Sequence, residues 1–130
     1  MNKNVFIVDD DPAMRDLYTR TFKLSGYDVE TAVNGQEALD KLSALEQKPD
    51  IILMDIMMPK LSGFEVLENI KKNDSLAKIP VIALTNLASL NSAQSDLKKI
   101  RALGAVDVVV KSDIDPKELV KKVESLMAQI

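Results

Sequence analysis

The stretch that most constrains the fold is Asp50-Ile51-Ile52-Leu53-Met54-Asp55. Four consecutive apolar residues that run into an acid read as a short strand buried on both faces, the habit of a parallel sheet. Pro49 before it and Pro59 after it keep the strand short. A carboxylate at the end of so apolar a run is costly to place unless the site uses it.

The same pattern recurs along the chain. Val5-Phe6-Ile7-Val8 ends in Asp9-Asp10-Asp11, and Pro12 then occupies a first helical position with Asp11 as its cap. Met14, Leu17, Tyr18 and Phe22 follow at helical spacing up to Gly26, the expected C-cap. Val29 to Ala32 is a less apolar strand, suited to a sheet edge. Asn34-Gly35 then leads into a helix carrying Ala38, Leu39, Leu42 and Leu45 on one face. After Asp55, Ser62 and Glu65 form a capping box for a third helix whose buried stripe is Phe64, Leu67 and Ile70. Ile79 to Leu84 is a fourth strand ending at Thr85, with Pro80 tolerated at its start. Leu87, Leu90, Ala93, Leu97, Ile100 and Leu103 then recur in steps of three or four up to Gly104. Val106 to Val110 is the fifth strand, ending at Lys111. Asp115 and Glu118 cap a last helix, with Pro116 at its first position, Ile114 and Leu119 as staple, and Val120, Val123, Leu126 and Met127 on its apolar face.

Strands alternating with helices argue for an α/β fold with a parallel sheet covered on both faces. Right-handed crossovers leave the flavodoxin-like doubly wound (βα)5 order 2-1-3-4-5 as the common five-stranded solution. Residues 1–130 suffice for a single domain and are too few for two.

Composition narrows the chemistry. The chain has neither cysteine nor histidine, which removes disulfides, thiolate or imidazole metal sites and histidine acid–base catalysis. Any bound metal must take oxygen ligands, which points to magnesium, calcium or manganese. No apolar run approaches the ~18 residues of a membrane span, and Met1-Asn2-Lys3-Asn4 lacks a signal-peptide core, so a cytoplasmic location without membrane contact is expected. Net charge is 17 − 20 = −3, too mild to suggest nucleic acid, and no glycine-rich phosphate loop or helix-turn-helix is present. Charge is uneven: residues 1–70 sum to 7 − 13 = −6 and residues 71–130 to 10 − 7 = +3. Lys98, Lys99, Arg101, Lys121 and Lys122 in the second part suit an acidic partner, or simply solvate helix faces.

In the 2-1-3-4-5 order the polar ends of the strands gather at one edge: Asp9 and Asp10, Asp55, Thr85 and Lys111. Singly, each has an ordinary reading as a helix start, a turn hydroxyl or a solvated terminus. Jointly they describe a site. Three gathered carboxylates repel one another and call for a cation, which a hard divalent ion supplies while leaving coordination positions for phosphate oxygens. A carboxylate can act as nucleophile toward phosphorus, with a lysine and a hydroxyl stabilising the transferred oxygens.

On these residues the chain resembles the receiver domain of two-component response regulators, of the stand-alone chemotaxis-regulator type. Val8-Asp9-Asp10, Leu53-Met54-Asp55-Ile56-Met57-Met58-Pro59, Ser62-Gly63, Ala83-Leu84-Thr85, Gly104-Ala105 and Val109-Val110-Lys111 carry the likeness, which runs from about residue 4 to 127. The resemblance implies a phosphoacceptor signalling module rather than an enzyme. Asp55 would accept phosphate from a histidine kinase or phosphotransfer protein. Asp9, Asp10, Asp55 and the Met57 backbone carbonyl would hold Mg2+. Thr85 and Lys111 would bind the phosphoryl group, and a helix 4–strand 5–helix 5 face would meet a downstream protein. Two other readings use the same residues: a pseudo-receiver or engineered scaffold with weakened switching, and a Mg2+-dependent phosphohydrolase with an aspartyl nucleophile. The hydrolase usually places a second acid two residues after the nucleophile, where this chain has Met57.

The chain departs from the receiver pattern at several positions. The aromatic three residues before the lysine is Val108, which predicts weaker or different coupling between Thr85 and the output face. The proline after the lysine is Ser112, for which a trans bond is expected because a non-proline cis bond costs about 2.5–4 kcal/mol. Asn86 replaces a small residue and either crowds the pocket or adds a hydrogen bond. The span from Thr85 to Gly104 is longer by about one helical turn, in the helix or in the loop before it, with Ser89 or Ser92 as cap. Met57 and Leu87 stand where side chains usually tune hydrolysis, and neither can orient a water. A long-lived aspartyl phosphate is therefore expected, which phosphate release after acetyl-phosphate loading measures; loss within seconds would refute it.

Overall fold

The computed structural model describes residues 2–58, 61–86 and 93–129, with the side chains of 93–96 left aside. Five parallel strands form one sheet in the order β2-β1-β3-β4-β5. The strands are β1 (Asn4–Val8), β2 (Asp28–Ala32), β3 (Ile51–Asp55), β4 (Val81–Thr85) and β5 (Asp107–Val110). The helices are α1 (Pro12–Leu24), α2 (Gly35–Ala44), α3 (Gly63–Lys72), α4 (Ala93–Ala102) and α5 (Pro116–Ala128). This is the doubly wound order expected from the alternation of elements.

Side-chain alternation along the strands builds two cores, one on each face. Phe6, Val8, Ile52, Met54, Val81 and Ala83 pack with α2, α3 and Ile100 of α4. Val5, Ile7, Ile51, Leu53, Ile82 and Leu84 pack with Tyr18 and Phe22 of α1 and Leu119, Val120 and Val123 of α5. β1 after Asn4, β3 and β4 are buried on both faces, so their residues are apolar up to the polar ends Asp55 and Thr85, whereas the edge strand β2 alternates exposed and covered positions.

The helix ends follow the local chemistry. Asp11 caps α1 by accepting from Ala13 N and Met14 N, and Asp115 with Glu118 forms the complete capping box of α5. At α3 the expected box is reduced. Ser62 Oγ accepts from Glu65 N at 3.4 Å, but the Glu65 carboxylate takes the Ser62 hydroxyl at 3.3 Å instead of a backbone N–H. The C-cap of α1 is Ser25, and Gly26 follows it at φ +93°, the left-handed position that ends a helix cheaply only in glycine.

Local pattern misplaced a few side chains. Leu17, on the apolar spacing of α1, is 38% exposed. In α3 it is Val66 that joins Leu67 and Ile70 in full burial, while Phe64 is half-covered and carries Lys99 Nζ 4.5 Å above its ring. β4 begins at Val81, after Pro80, and Val106 lies outside β5, 44% exposed. Pro59, the expected cap at Ser89 or Ser92, Leu87 and Leu90 lie outside the described residues, as does the side chain of Ala93.

Candidate functional site

Register determines which strand ends face one another. Asp55 pairs across with Leu84, and Thr85 with Val110. By the two-residue alternation Asp9, Asp55 and Lys111 continue the face of Ile7, Leu53 and Val109 toward α1 and α5. Thr85 continues the face of Ala83 toward α3 and α4. The C-terminal edge thus carries two half-sites.

The acidic half is densely bonded. Asp9 is fully buried, Asp55 is 6% exposed, and Asp10 is exposed at the mouth. Ligand oxygens of these three lie within 4.8 Å of one another. Lys111 Nζ donates to Asp9 Oδ2 at 2.8 Å and to Asp55 Oδ2 at 3.0 Å. Asp9 Oδ1 accepts from Asp11 N at 2.9 Å, and Asp55 Oδ1 from Met57 N at 3.1 Å. Arg15 Nη1 donates to the Asp9 carbonyl at 2.9 Å.

Burial dominates the electrostatics of Asp55. It raises the carboxyl to about 6, with the Asp9 charge adding to the rise and Lys111 and the Met57 N–H opposing it. Burial works against the Lys111 charge, yet the hydrogen bonds and attraction of both aspartates outweigh it and raise that lysine above its ordinary value. Tyr18, beneath the site, is also raised, first by its own burial.

The other half is sparsely bonded. Thr85 is fully buried, and its Oγ1 has no hydrogen-bond partner among the described residues. Beside it on β5, Val108 pairs with Ala83 and is only partly covered. Lys111, Ser112 and Asp113 form a short 3-10 turn, and no cis peptide occurs among the described residues, as expected for Ser112. A cleft of about 510 Å³ opens at the acidic half, lined among others by Asp10, Met14, Asp55, Met57, Asn86 and Lys111.

Gly63 is a positioning feature that residue type alone does not reveal. A Cβ there would lie 2.5 Å from Ile56 Cα and 2.6 Å from the Asp55 carbonyl oxygen, and Gly63 N donates to Ile56 O at 2.9 Å. The start of α3 therefore rests directly on the backbone behind Asp55.

The donor set fits a hard cation: clustered carboxylate oxygens, with no cysteine or histidine anywhere in the chain. Comparison with known proteins agrees. The response regulator receiver domain model matches residues 5–124. The polar-differentiation response regulator DivK of Brucella anthropi is 36% identical over 127 residues, covering 98% of both chains. The DNA-binding dual master transcriptional regulator RpaA of Synechocystis is 34% identical over 125 residues, 95% of this chain but 48% of that protein. The chain thus spans about half the length of several curated relatives it matches. Among solved structures, the chemotaxis response regulator CheY4 of Vibrio cholerae superposes with a TM-score of 0.83 at 30% identity, over 96% of this chain and 98% of that one.

The chain belongs to the response regulator receiver domain family. It is a signalling module of phosphorelay systems, with an acidic pocket of the kind that binds Mg2+ beside a phosphoacceptor aspartate. Receiver domains work with histidine kinases or phosphotransfer proteins and with downstream effectors. Among the described residues no helix is long and apolar enough to cross a membrane.

Proposed function

We propose that residues 1–130 act as one receiver domain in which Asp55 is the phosphoacceptor. The observation that carries this reading is the position of Asp55: a buried carboxylate that ends an otherwise apolar strand, bonded to Lys111 and within 4.8 Å of an Asp9 oxygen. An Asp55 oxygen attacks the phosphorus of a phosphohistidine donor. The new O–P bond forms as the N–P bond breaks, and the imidazole leaves with its electron pair. Asp9, Asp10, Asp55 and the Met57 carbonyl are the groups that would hold Mg2+. Held there, Mg2+ would offset the clustered charge and supply electrostatic stabilisation to phosphoryl oxygens. Lys111, already between two carboxylates, pairs with the phosphoryl group, and the unpartnered Thr85 hydroxyl donates to it. Met57, 44% exposed at the mouth, offers apolar cover in place of a water-orienting group. The receiving surface for a partner is the α4–β5–α5 face. The basic bias of residues 71–130 suits an acidic protein surface there.

Beryllofluoride, a phosphoryl mimic, tests the assignment. With Mg2+ it should shift the backbone amide resonances of Thr85, Lys111 and Met57 at one equivalent, and Asp55→Asn should abolish the shifts. Equal shifts in that variant would place the acceptor elsewhere.

A further inference from the structure

Asp9 is held at every polar atom. Its N–H donates to Ala32 O at 3.2 Å, Oδ1 accepts from Asp11 N, Oδ2 accepts from Lys111, and its carbonyl accepts from Arg15. Asp10 is the reverse: no side-chain hydrogen bond holds it among the described residues, and its carboxylate is exposed. The Asp9 carbonyl belongs to the peptide that joins Asp9 to Asp10. Whatever fixes that carbonyl fixes the peptide plane, and the plane sets where the Asp10 side chain leaves the chain. β1 ends at Val8, no backbone N–H among the described residues donates to this carbonyl, and Arg15 folds back from α1 to take it. The guanidinium is half-buried and its donors are rigidly arrayed, which favours one orientation of the peptide.

We infer that Arg15 is a positioning residue for the cation site: by bonding the Asp9 carbonyl it sets the Asp9–Asp10 peptide so that the otherwise unsupported Asp10 carboxylate points at Asp55. The inference rests on the Mg2+ reading above and names a residue that does not itself touch the ion. It also predicts a sign. A cation near three carboxylates should weaken binding of a second cation by repulsion, so Arg15→Met would tighten Mg2+ if charge alone mattered. If positioning dominates, Arg15→Met loosens Mg2+ by about tenfold, the low end for groups that orient metal ligands from behind. Arg15→Lys, which keeps one donor and the charge, should recover part of the loss.

The experiment is calorimetric titration of MgCl2 into the full chain as wild type, Arg15→Met and Arg15→Lys. Each is paired with the Mg2+-induced shift in its own melting temperature, measured against the same protein in EDTA. The EDTA baseline removes any general loss of stability from the comparison. A weaker Arg15→Met partly restored by Arg15→Lys supports the inference. Equal or tighter binding in Arg15→Met overturns it while leaving the Mg2+ reading intact. A wild type that takes no Mg2+ overturns both.

Discussion

The two halves of the C-terminal sheet edge are built differently, though they sit side by side. On the α1–α5 side, Asp9, Asp55 and Lys111 share charge-assisted bonds of 2.8–3.0 Å, and Asp9 has no free polar atom. On the α3–α4 side, Thr85 carries a buried hydroxyl with no partner among the described residues, and its neighbour across the sheet is Val110, with a partly covered Val108 two residues earlier. On the proposed reading, the first half is assembled before any phosphoryl group arrives, and the second holds a donor in reserve beside the small side chain of Val108. That reading predicts that chemistry and relay can be altered separately.

Three substitutions or conditions probe that contrast, in descending order of effect. Lys111→Met leaves the fully buried Asp9 carboxylate without its cation. Breaking a buried pair from one side costs ~3–5 kcal/mol, read as a lower urea midpoint at pH 7.5 without Mg2+. A loss below about 1 kcal/mol would show that the acidic half is not held by this lysine.

The next effect is a pH dependence. The folded carboxyl of Asp55 lies above its ordinary value of 3.8, at about 6, so between those values the folded chain binds more protons than the unfolded one. Stability attributable to Asp55 is then greatest at acid pH and falls as pH rises toward 6. The loss is on the order of 3 kcal/mol, from roughly two pKa units at about 1.4 kcal/mol each. Asp55→Asn should flatten that part of the curve in denaturant titrations from pH 4 to 7. An unchanged slope would mean that Asp55 does not titrate there.

The smallest effect belongs to the other half. Thr85→Val removes a hydroxyl without a partner and keeps the shape, so stability should change by less than about 0.5 kcal/mol or rise slightly. The same variant should lose the beryllofluoride-induced shifts in α4 and β5 while still taking up the mimic. A large loss of stability would mean that the Thr85 hydroxyl is engaged in the resting chain.

Much of this was legible in the sequence, and the reason is local. Each buried strand is an apolar run ended by a polar residue, so pattern gives the strand, and the sheet order gives the gathering of Asp9, Asp10, Asp55, Thr85 and Lys111. Caps at Asp11 and Asp115 were legible for the same reason. What escaped depends on distance in space. Nothing in residue type says that Arg15 folds back on the Asp9 carbonyl or that Gly63 touches the backbone behind Asp55. Gly35, likewise, is needed because a Cβ would meet the Leu61 backbone. Leu17 sits on the helical spacing yet faces water, because apolar spacing defines a stripe without saying how wide the covering surface is. Asp107 falls inside the expected strand Val106 to Val110, yet its side chain binds Lys122 of α5 at 2.9 Å and lies 3.7 Å from Arg101 of α4.

The most direct test is intact mass after incubation with acetyl phosphate, with and without MgCl2. The chain should gain the mass of one phosphoryl group only with Mg2+, and Asp55→Asn should gain none. No gain in the wild type, or an equal gain in Asp55→Asn, would contradict the assignment of Asp55 as the acceptor.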